Sequence, residues 1–250
     1  MTTPPTVVVI TGASAGIGAA TAEHLAGQGM SVVLVARRKD LLEEVASRCG
    51  ENAIAVVADV SNRDEVRSVV EASLERFGHI DVWINNVGRG ITRLPSQLTD
   101  EDMHEVMQTN VMTALYGMQE VLPHFKAREA GHVINVSSLL GRVPFVAVRS
   151  AYCGAKHFLN ALTATFRMEF QESHPQIQFS LVSPGVVRTD FGLSALHGGP
   201  DSRELPDSQS AEEVAEVIAG VIESRQPDVY TKKGAAGRIA GYYAKVAVDP

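Results

Sequence analysis

Tyr152 and Lys156 stand four residues apart in Tyr152-Cys153-Gly154-Ala155-Lys156. On a helix that spacing puts both side chains on one face. A free phenol titrates near about 10, too high for easy proton exchange at neutral pH. A neighbouring ammonium favours the phenolate and lowers that value. The pair therefore reads as a general acid–base site. A second chemistry-bearing stretch lies far upstream, Thr11-Gly12-Ala13-Ser14-Ala15-Gly16-Ile17-Gly18. Its glycines let backbone approach a ligand, because no Cβ intervenes. A helix starting at this turn offers free N–H groups and a positive dipole end to a pyrophosphate. The spacing, Gly-x3-Gly-x-Gly, differs from the common Gly-x-Gly-x-x-Gly dinucleotide pattern.

Both stretches need a scaffold. Short β-branched, apolar runs recur at 6–10, 31–36, 53–58, 81–85, 132–136, 178–182 and 228–231. They are continuous rather than alternating, as strands buried on both faces should be. Helical stretches at 17–27, 41–48 and 64–77 follow the first three. Ser61-Asn62-Arg63-Asp64, Thr99-Asp100-Glu101-Asp102 and Ser210-Ala211-Glu212-Glu213 resemble capping boxes that open helices. Repeated β-α-β units predict an α/β fold: about seven mostly parallel strands with helices on both faces. Nothing divides 1–250, so one domain is expected. The irregular stretch 191–209, rich in Gly, Pro and Ser, reads as a substrate lid, ordered by ligand.

Bulk properties narrow the function. A formal net charge of −7 gives no basic field for nucleic acid. No stretch approaches the roughly 20 apolar residues of a membrane span. Met1-Thr2-Thr3-Pro4-Pro5 carries no basic region of a signal peptide. Cys49 and Cys153 are too few for a disulfide framework and read as reduced thiols of a cytoplasmic protein. The eight histidines form no His-Glu-x-x-His motif, so no metal site is expected.

A dinucleotide fold often ends its second strand on Asp or Glu, which holds the ribose 2′-hydroxyl. Here that strand ends in Val35-Ala36-Arg37-Arg38. Guanidinium groups suit a 2′-phosphate, so NADP(H) is favoured over NAD(H). Arg37 is the expected phosphate ligand, and Arg38 is left to stacking near the adenine or to solvent.

These residues together resemble the short-chain dehydrogenase/reductase family over nearly the whole chain. The resemblance rests on Thr11 to Gly18, on Asn85-Asn86-Val87-Gly88 in place of Asn-Asn-Ala-Gly, and on Asn110. It continues through Ser138, the Tyr152/Lys156 pair and Pro184-Gly185-Val186-Val187-Arg188-Thr189. It implies a doubly wound (Rossmann) fold and hydride transfer between NADP(H) and a carbonyl or secondary alcohol. Asn110, Ser138, Tyr152 and Lys156 would then be catalytic. Tyr152 would give the proton and Ser138 would hold the oxygen. Lys156 would lower the phenol pKa and bind the nicotinamide ribose. Asn110 would hold a water that links Lys156 to solvent. Cofactor contacts would come from Gly12, Ser14, Gly16, Ile17, Gly18, Arg37, Arg38, Asp59, Val60, Asn86 and Gly88. Tyr152, Lys156, Pro184, Gly185, Val187 and Thr189 would complete them.

Two departures stand out. Ser138 and Tyr152 are fourteen residues apart, one more than the family interval, with the extra residue assigned to 142–149. The neighbouring Ser137 therefore competes with Ser138 for the carbonyl, and Leu139-Leu140-Gly141 favours Ser138. Val87 adds two methyl groups close to the cofactor.

Leu139, Leu140, Val143, Pro144, Phe145, Val146 and Phe191 imply an apolar pocket for a hydrophobic ketone or aldehyde. The extension 234–250 is expected to pack at a subunit interface, or to lie on a membrane surface. The resemblance implies a homodimer or homotetramer joined through 103–125 and 152–171. Two other readings remain: an NAD-linked alcohol dehydrogenase, and a non-catalytic NADP(H)-sensing binding protein.

Overall fold

The computed structural model describes residues 5–246. Seven strands form one sheet: β1 (Val7–Thr11), β2 (Ser31–Ala36), β3 (Ala53–Val57), β4 (Val82–Asn85), β5 (Gly131–Val136), β6 (Ile177–Ser183) and β7 (Asp228–Tyr230). Their order is β3-β2-β1-β4-β5-β6-β7. Every pairing is parallel, with Val8 opposite both Val32 and Val82. The sheet is thus wholly parallel, where a mostly parallel one was expected.

The helices are α1 (Gly16–Gly27), α2 (Lys39–Cys49), α3 (Arg63–Phe77), α4 (Asp100–Met107), α5 (Thr113–Arg128), α6 (Ser150–Ser173), α7 (Ala211–Ser224) and α8 (Ala235–Val246). Successive strand residues face opposite sides. Val8, Ile10 and Leu34 accordingly pack with α1, α2 and α7. Val9, Val33 and Trp83 pack with α3, α5 and α6. Burying each such side chain contributes about 1.5–3 kcal/mol. That double burial is why the strands read as unbroken apolar runs.

Among the described residues, α3, α4 and α7 start at side-chain caps. Thr99 and Ser210 close capping boxes with Asp102 and Glu213, as their sequences predict. The third differs from expectation. Asn62, not Ser61, caps α3 by accepting from Asp64 N at 3.0 Å. Ser61 instead donates its hydroxyl to Asp59.

Strand order reverses between β1 and β4. Crossovers on either side leave in opposite directions there and open a crevice beyond the strand C-termini. Thr11, Ala36, Asn85 and Val136 all end at that edge. None of the described helices is long and apolar enough to cross a membrane.

Candidate active site

The crevice is a continuous cleft of about 1360 Å³. That exceeds the roughly 300–1,000 Å³ of a usual ligand pocket and leaves room for a dinucleotide beside a second molecule. Of the catalytic and cofactor residues predicted, all border it except Gly18 and Asn110, which stand behind its wall; of the predicted apolar lining, Val143, fully buried, and Pro144 do not border it.

Its first wall is the β1–α1 turn. Gly12 has φ +70, a left-handed conformation that L side chains rarely adopt. Gly12 N and Ala13 N donate to Val35 O at 2.8 and 3.1 Å, which ties the turn to β2. Gly18 is required by proximity: an added Cβ would collide with Gly12 O and lie 2.7 Å from Asn86 Nδ2. Asn86 Nδ2 in turn donates to Thr11 O and Gly12 O, and Asn86 N to Thr11 Oγ1. Val87, the residue in place of alanine, packs into the second core and stands behind Gly12. α1 begins at Ala15 with no side-chain cap and no acid in its first turn. Its first amides are therefore left for an outside acceptor.

The two arginines after β2 part company. Arg38 donates Nε and Nη2 to Ser14 Oγ at 3.2 and 3.0 Å, so its fork lies across the glycine turn. Arg37 is largely exposed and pairs with Asp59 at 3.6 Å. Burial pushes the Asp59 carboxyl up, but hydrogen bonds from Ser61 and the Arg37 charge outweigh it and hold the group below its usual range. No acid at the end of β2 competes for a ribose hydroxyl. These residues fit a pyrophosphate-bearing nucleotide: glycines at the approach, uncapped amides and a guanidinium at the turn.

The catalytic candidates converge at the far end. Tyr152 and Lys156 are buried on one face of α6. Ser138 faces the same cleft as Tyr152 and accepts from Leu140 N at 3.1 Å. Ser137 is committed elsewhere, donating to Asn160 Oδ1 at 2.5 Å. The geometry thus separates the two serines. Burial pushes the Tyr152 phenol up to about 12; the Ser138 hydroxyl and the Arg149 charge pull the other way. The expected lowering by Lys156 does not occur in this geometry. Lys156 Nζ donates to Val136 O at 3.0 Å and lies 5.9 Å from the phenol ring centroid. Its own burial pushes it down to about 8.

Asn110 lies in a π-helical turn, Gln108–Met112, that joins α4 to α5. Such turns commonly mark functional positions. Its Nδ2 donates to Arg89 O and Val106 O, and its Oδ1 accepts from Arg89 N. A Cβ on Gly88 would stand 3.0 Å from Asn110 Oδ1 and 3.4 Å from Lys156 Nζ. Gly88 is therefore the thin partition between them. Val187 and Thr189 close the cleft from the β6 side, with Thr189 facing Gly16.

The stretch 191–209 is already tied down. Leu196 exchanges backbone hydrogen bonds with Gly90 and Thr92, and Gln209 with Val186 and Arg188. His197 Nε2 meets Asp102 Oδ1 at 2.6 Å. The extension packs on its own chain: Tyr243 donates to Arg142 O at 2.5 Å, and Tyr242 sits edge-on to Phe145 at 5.6 Å. Residues 247–250 of that extension lie outside the described residues. Cys153 is buried and Cys49 partly buried, both as free thiols. Among the described residues no three His, Cys, Asp or Glu side chains converge as a metal would require.

Sequence reasoning missed Asn160, Thr92 and Arg149. Asn160 holds both Ser137 and Gly141 O. Its signal was available: Tyr152, Lys156 and Asn160 recur every four residues on one helix face. Arg149 and Thr92 carry no pattern, because loops bring them together.

The short chain dehydrogenase family profile matches residues 6–197. The farnesol dehydrogenase of Aedes aegypti is 35% identical over 215 residues, which cover 82% of this chain and 87% of that one. The alcohol dehydrogenase of Thermococcus sibiricus, solved with 5-hydroxy-NADP, superposes with a TM-score of 0.78 at 29% identity, covering 90% and 95% of the two chains. A short chain dehydrogenase/reductase of Burkholderia phymatum, solved with NAD, has the same fold. Its TM-score is 0.89 at 24% identity, over 99% of this chain and 98% of that one.

Proposed function

The chain belongs to the short-chain dehydrogenase/reductase family, and from that premise we propose that it is an NADPH-dependent reductase of a ketone or aldehyde with a largely apolar body. The observation that carries this reading is the Tyr152 phenol. It is buried and borders the cleft together with Ser138, and the other end of that cleft is an uncapped helix start. The Aedes relative, named for a long apolar alcohol, is in keeping with such a substrate.

NADP(H) fits the glycine turn, Asn86 and the loop after β6, and it would supply the hydride. The protein's residues do the rest. Ser138 orients the carbonyl oxygen by a hydrogen bond. Tyr152, protonated with a pKa near 12, gives its proton to that oxygen as alkoxide character develops. The phenolate left behind is stabilised by Ser138 and by the Arg149 charge, while the Lys156 ammonium holds the nicotinamide ribose. Asn110 secures the Gly88 partition beside Lys156 and offers Oδ1 to a relaying water. Leu139, Leu140, Phe145 and Phe191 exclude bulk water and favour apolar substrate.

For the 2′-phosphate, Arg38 is the better-placed fork because it already spans Ser14, with Arg37 a second, exposed contributor. Exposed Met103 on α4, with Phe158 and Met168 on α6, is consistent with a homodimer or homotetramer. Its two free thiols suit the reducing cytoplasm.

The test is NADPH and NADH oxidation, followed by absorbance, across a panel of ketones and aldehydes. Turnover with NADPH that disappears in Tyr152→Phe is expected. Arg38→Ala should impair NADPH use at least tenfold more than NADH use. Equal use of both cofactors by wild type would favour the NAD-linked dehydrogenase instead. NADPH binding with no turnover in either direction would favour a sensor.

A further inference from the structure

Arg149 lies three residues before Tyr152, at the start of α6, and borders the cleft. It is half-buried. A guanidinium carries five N–H donors, yet its only hydrogen bond among the described residues runs from Nη1 to Ile91 O at 3.1 Å. No carboxylate among the described residues lies within ion-pair distance of it. The other arginines around the cleft differ. Arg37, Arg89 and Arg203 pair with Asp59, Glu105 and Asp190. Arg38, Arg188 and Arg238 are exposed, so water solvates them. Arg149 alone loses water without gaining an acid, and that loss is unfavourable unless something else supplies the negative charge.

A second polar group beside it is also unpaired. Thr92 Oγ1 is buried and has no hydrogen-bond partner. A Cβ on Gly199 would lie 3.0 Å from Arg149 Nη2 and 3.1 Å from Thr92 Oγ1, so the two groups meet over that glycine. On its other side the guanidinium fills the space above Gly90, next to the Phe191 ring. Phe191 packs edge-on against Tyr152, 5.6 Å between centroids. The unpaired cation and the unpaired hydroxyl are therefore one aromatic ring away from the proton donor, inside the same cleft.

We propose that Arg149, assisted by Thr92, binds a carboxylate on the substrate, which makes the preferred substrate an oxo- or hydroxy-carboxylic acid with an apolar body. This rests on the reductase reading above and narrows its substrate class. The planar fork matches a carboxylate in two parallel hydrogen bonds. One fork and one hydroxyl suit a single monoanion, and the surrounding leucine, valine and phenylalanine side chains take the hydrocarbon. The carboxylate is a handle and is not altered. The carbonyl carbon accepts hydride, its oxygen accepts the Tyr152 proton, and reduced nicotinamide is oxidised.

Two measurements test it. Benzoylpropionate and its methyl ester are compared as substrates with NADPH, as are benzylpyruvate and its methyl ester. Phenylbutyrate and its methyl ester, neither of which can be reduced, are titrated calorimetrically into the NADPH-loaded protein. Wild type should prefer acid to ester by about ten- to a hundredfold, the range of a charge-assisted hydrogen bond, mostly through KM. In Arg149→Met the acid-to-ester ratio should fall to about one. Arg149→Lys should keep part of it, and Thr92→Val should reduce it a few-fold. Thermal melting and NADPH affinity check that each variant is folded. Equal handling of acid and ester by wild type in both measurements overturns the proposal. So does a loss of acid and ester by the same factor in folded Arg149→Met, which would make Arg149 only a tether for the stretch 191–209. Phenylbutyrate binding that needs Arg149, with no carbonyl compound reduced, would uphold the anion site and sink the reductase reading.

Discussion

At the β1 end of the cleft the wall is main chain; at the Tyr152 end it is held by side chains. Around Gly12 and Gly18 the contacts are amides, carbonyls and an asparagine that bonds them, all attached to strands buried on both faces. Around Tyr152 the wall is made of loops after β4, β5 and β6. They are joined by Arg149 over Gly90 and Gly199, His197 on Asp102, and Tyr243 on Arg142. Backbone cannot vary with side-chain identity, so the first end accepts one kind of ligand. Side-chain pins can be exchanged without disturbing the sheet, so the second end carries specificity.

Tyr152→Phe should show the sharpest division between the two ends. Removing the proton donor should slow reduction about 10³-fold, within the range for a positioned acid. NADPH affinity, measured by fluorescence titration, should stay within a few-fold. Lost NADPH binding would mean that the ends are not separable. Gly18→Ala should do the reverse. Its Cβ meets the Gly12 carbonyl, and such overpacking costs about 1–3 kcal/mol. NADPH affinity and melting temperature should therefore fall together, and unchanged values for both would remove the backbone argument.

The pH profile provides a milder test at the Tyr152 end. Lys156 has its folded pKa pushed down to about 8, so the ammonium proposed to hold the nicotinamide ribose is present below that pH and lost above it. Reduction should then fall about tenfold per unit above pH 8. In Lys156→Arg, whose charge persists, that limb should vanish even if the overall rate is lower.

The smallest effect is expected at Asp102. The His197 hydrogen bond is the main reason its carboxyl is held down to about 2. A depressed carboxyl contributes above its unfolded pKa, near about 3.9, and loses that contribution as pH falls toward 2. Asp102→Asn should raise KM a few-fold at neutral pH and speed proteolytic nicking within 191–209. Unchanged nicking would show that the backbone pairs of Leu196 and Gln209 hold that segment without the His197 pin.

Much of the first end was legible because its signals are local. Strand 31–36 is found where its apolar run lies, and the Thr99 and Ser210 caps read directly from residue type and spacing. What failed was competition between near neighbours. Ser61 and Asn62 are both good caps, and only the demand of Asp59 on the Ser61 hydroxyl decided between them. Between Ser137 and Ser138 the sequence favoured Ser138, and the structure commits Ser137 to Asn160. Spacing also placed Lys156 beside Tyr152 correctly while misjudging its effect. The desolvation that raises the phenol depends on everything packed around it, which a four-residue interval does not contain.

The amino-acid order alone determined the strand–helix alternation, the glycine turn, the Tyr152/Lys156 helix face and the missing acid after the second strand. Each follows from chemistry within a few residues along the chain. The tertiary structure decided which arginine lies on Ser14, which serine Asn160 engages, and that Arg149 and Thr92 meet over Gly199 with no carboxylate within ion-pair distance among the described residues. Those outcomes depend on contacts between residues dozens of positions apart, where burial and competition for partners set the result.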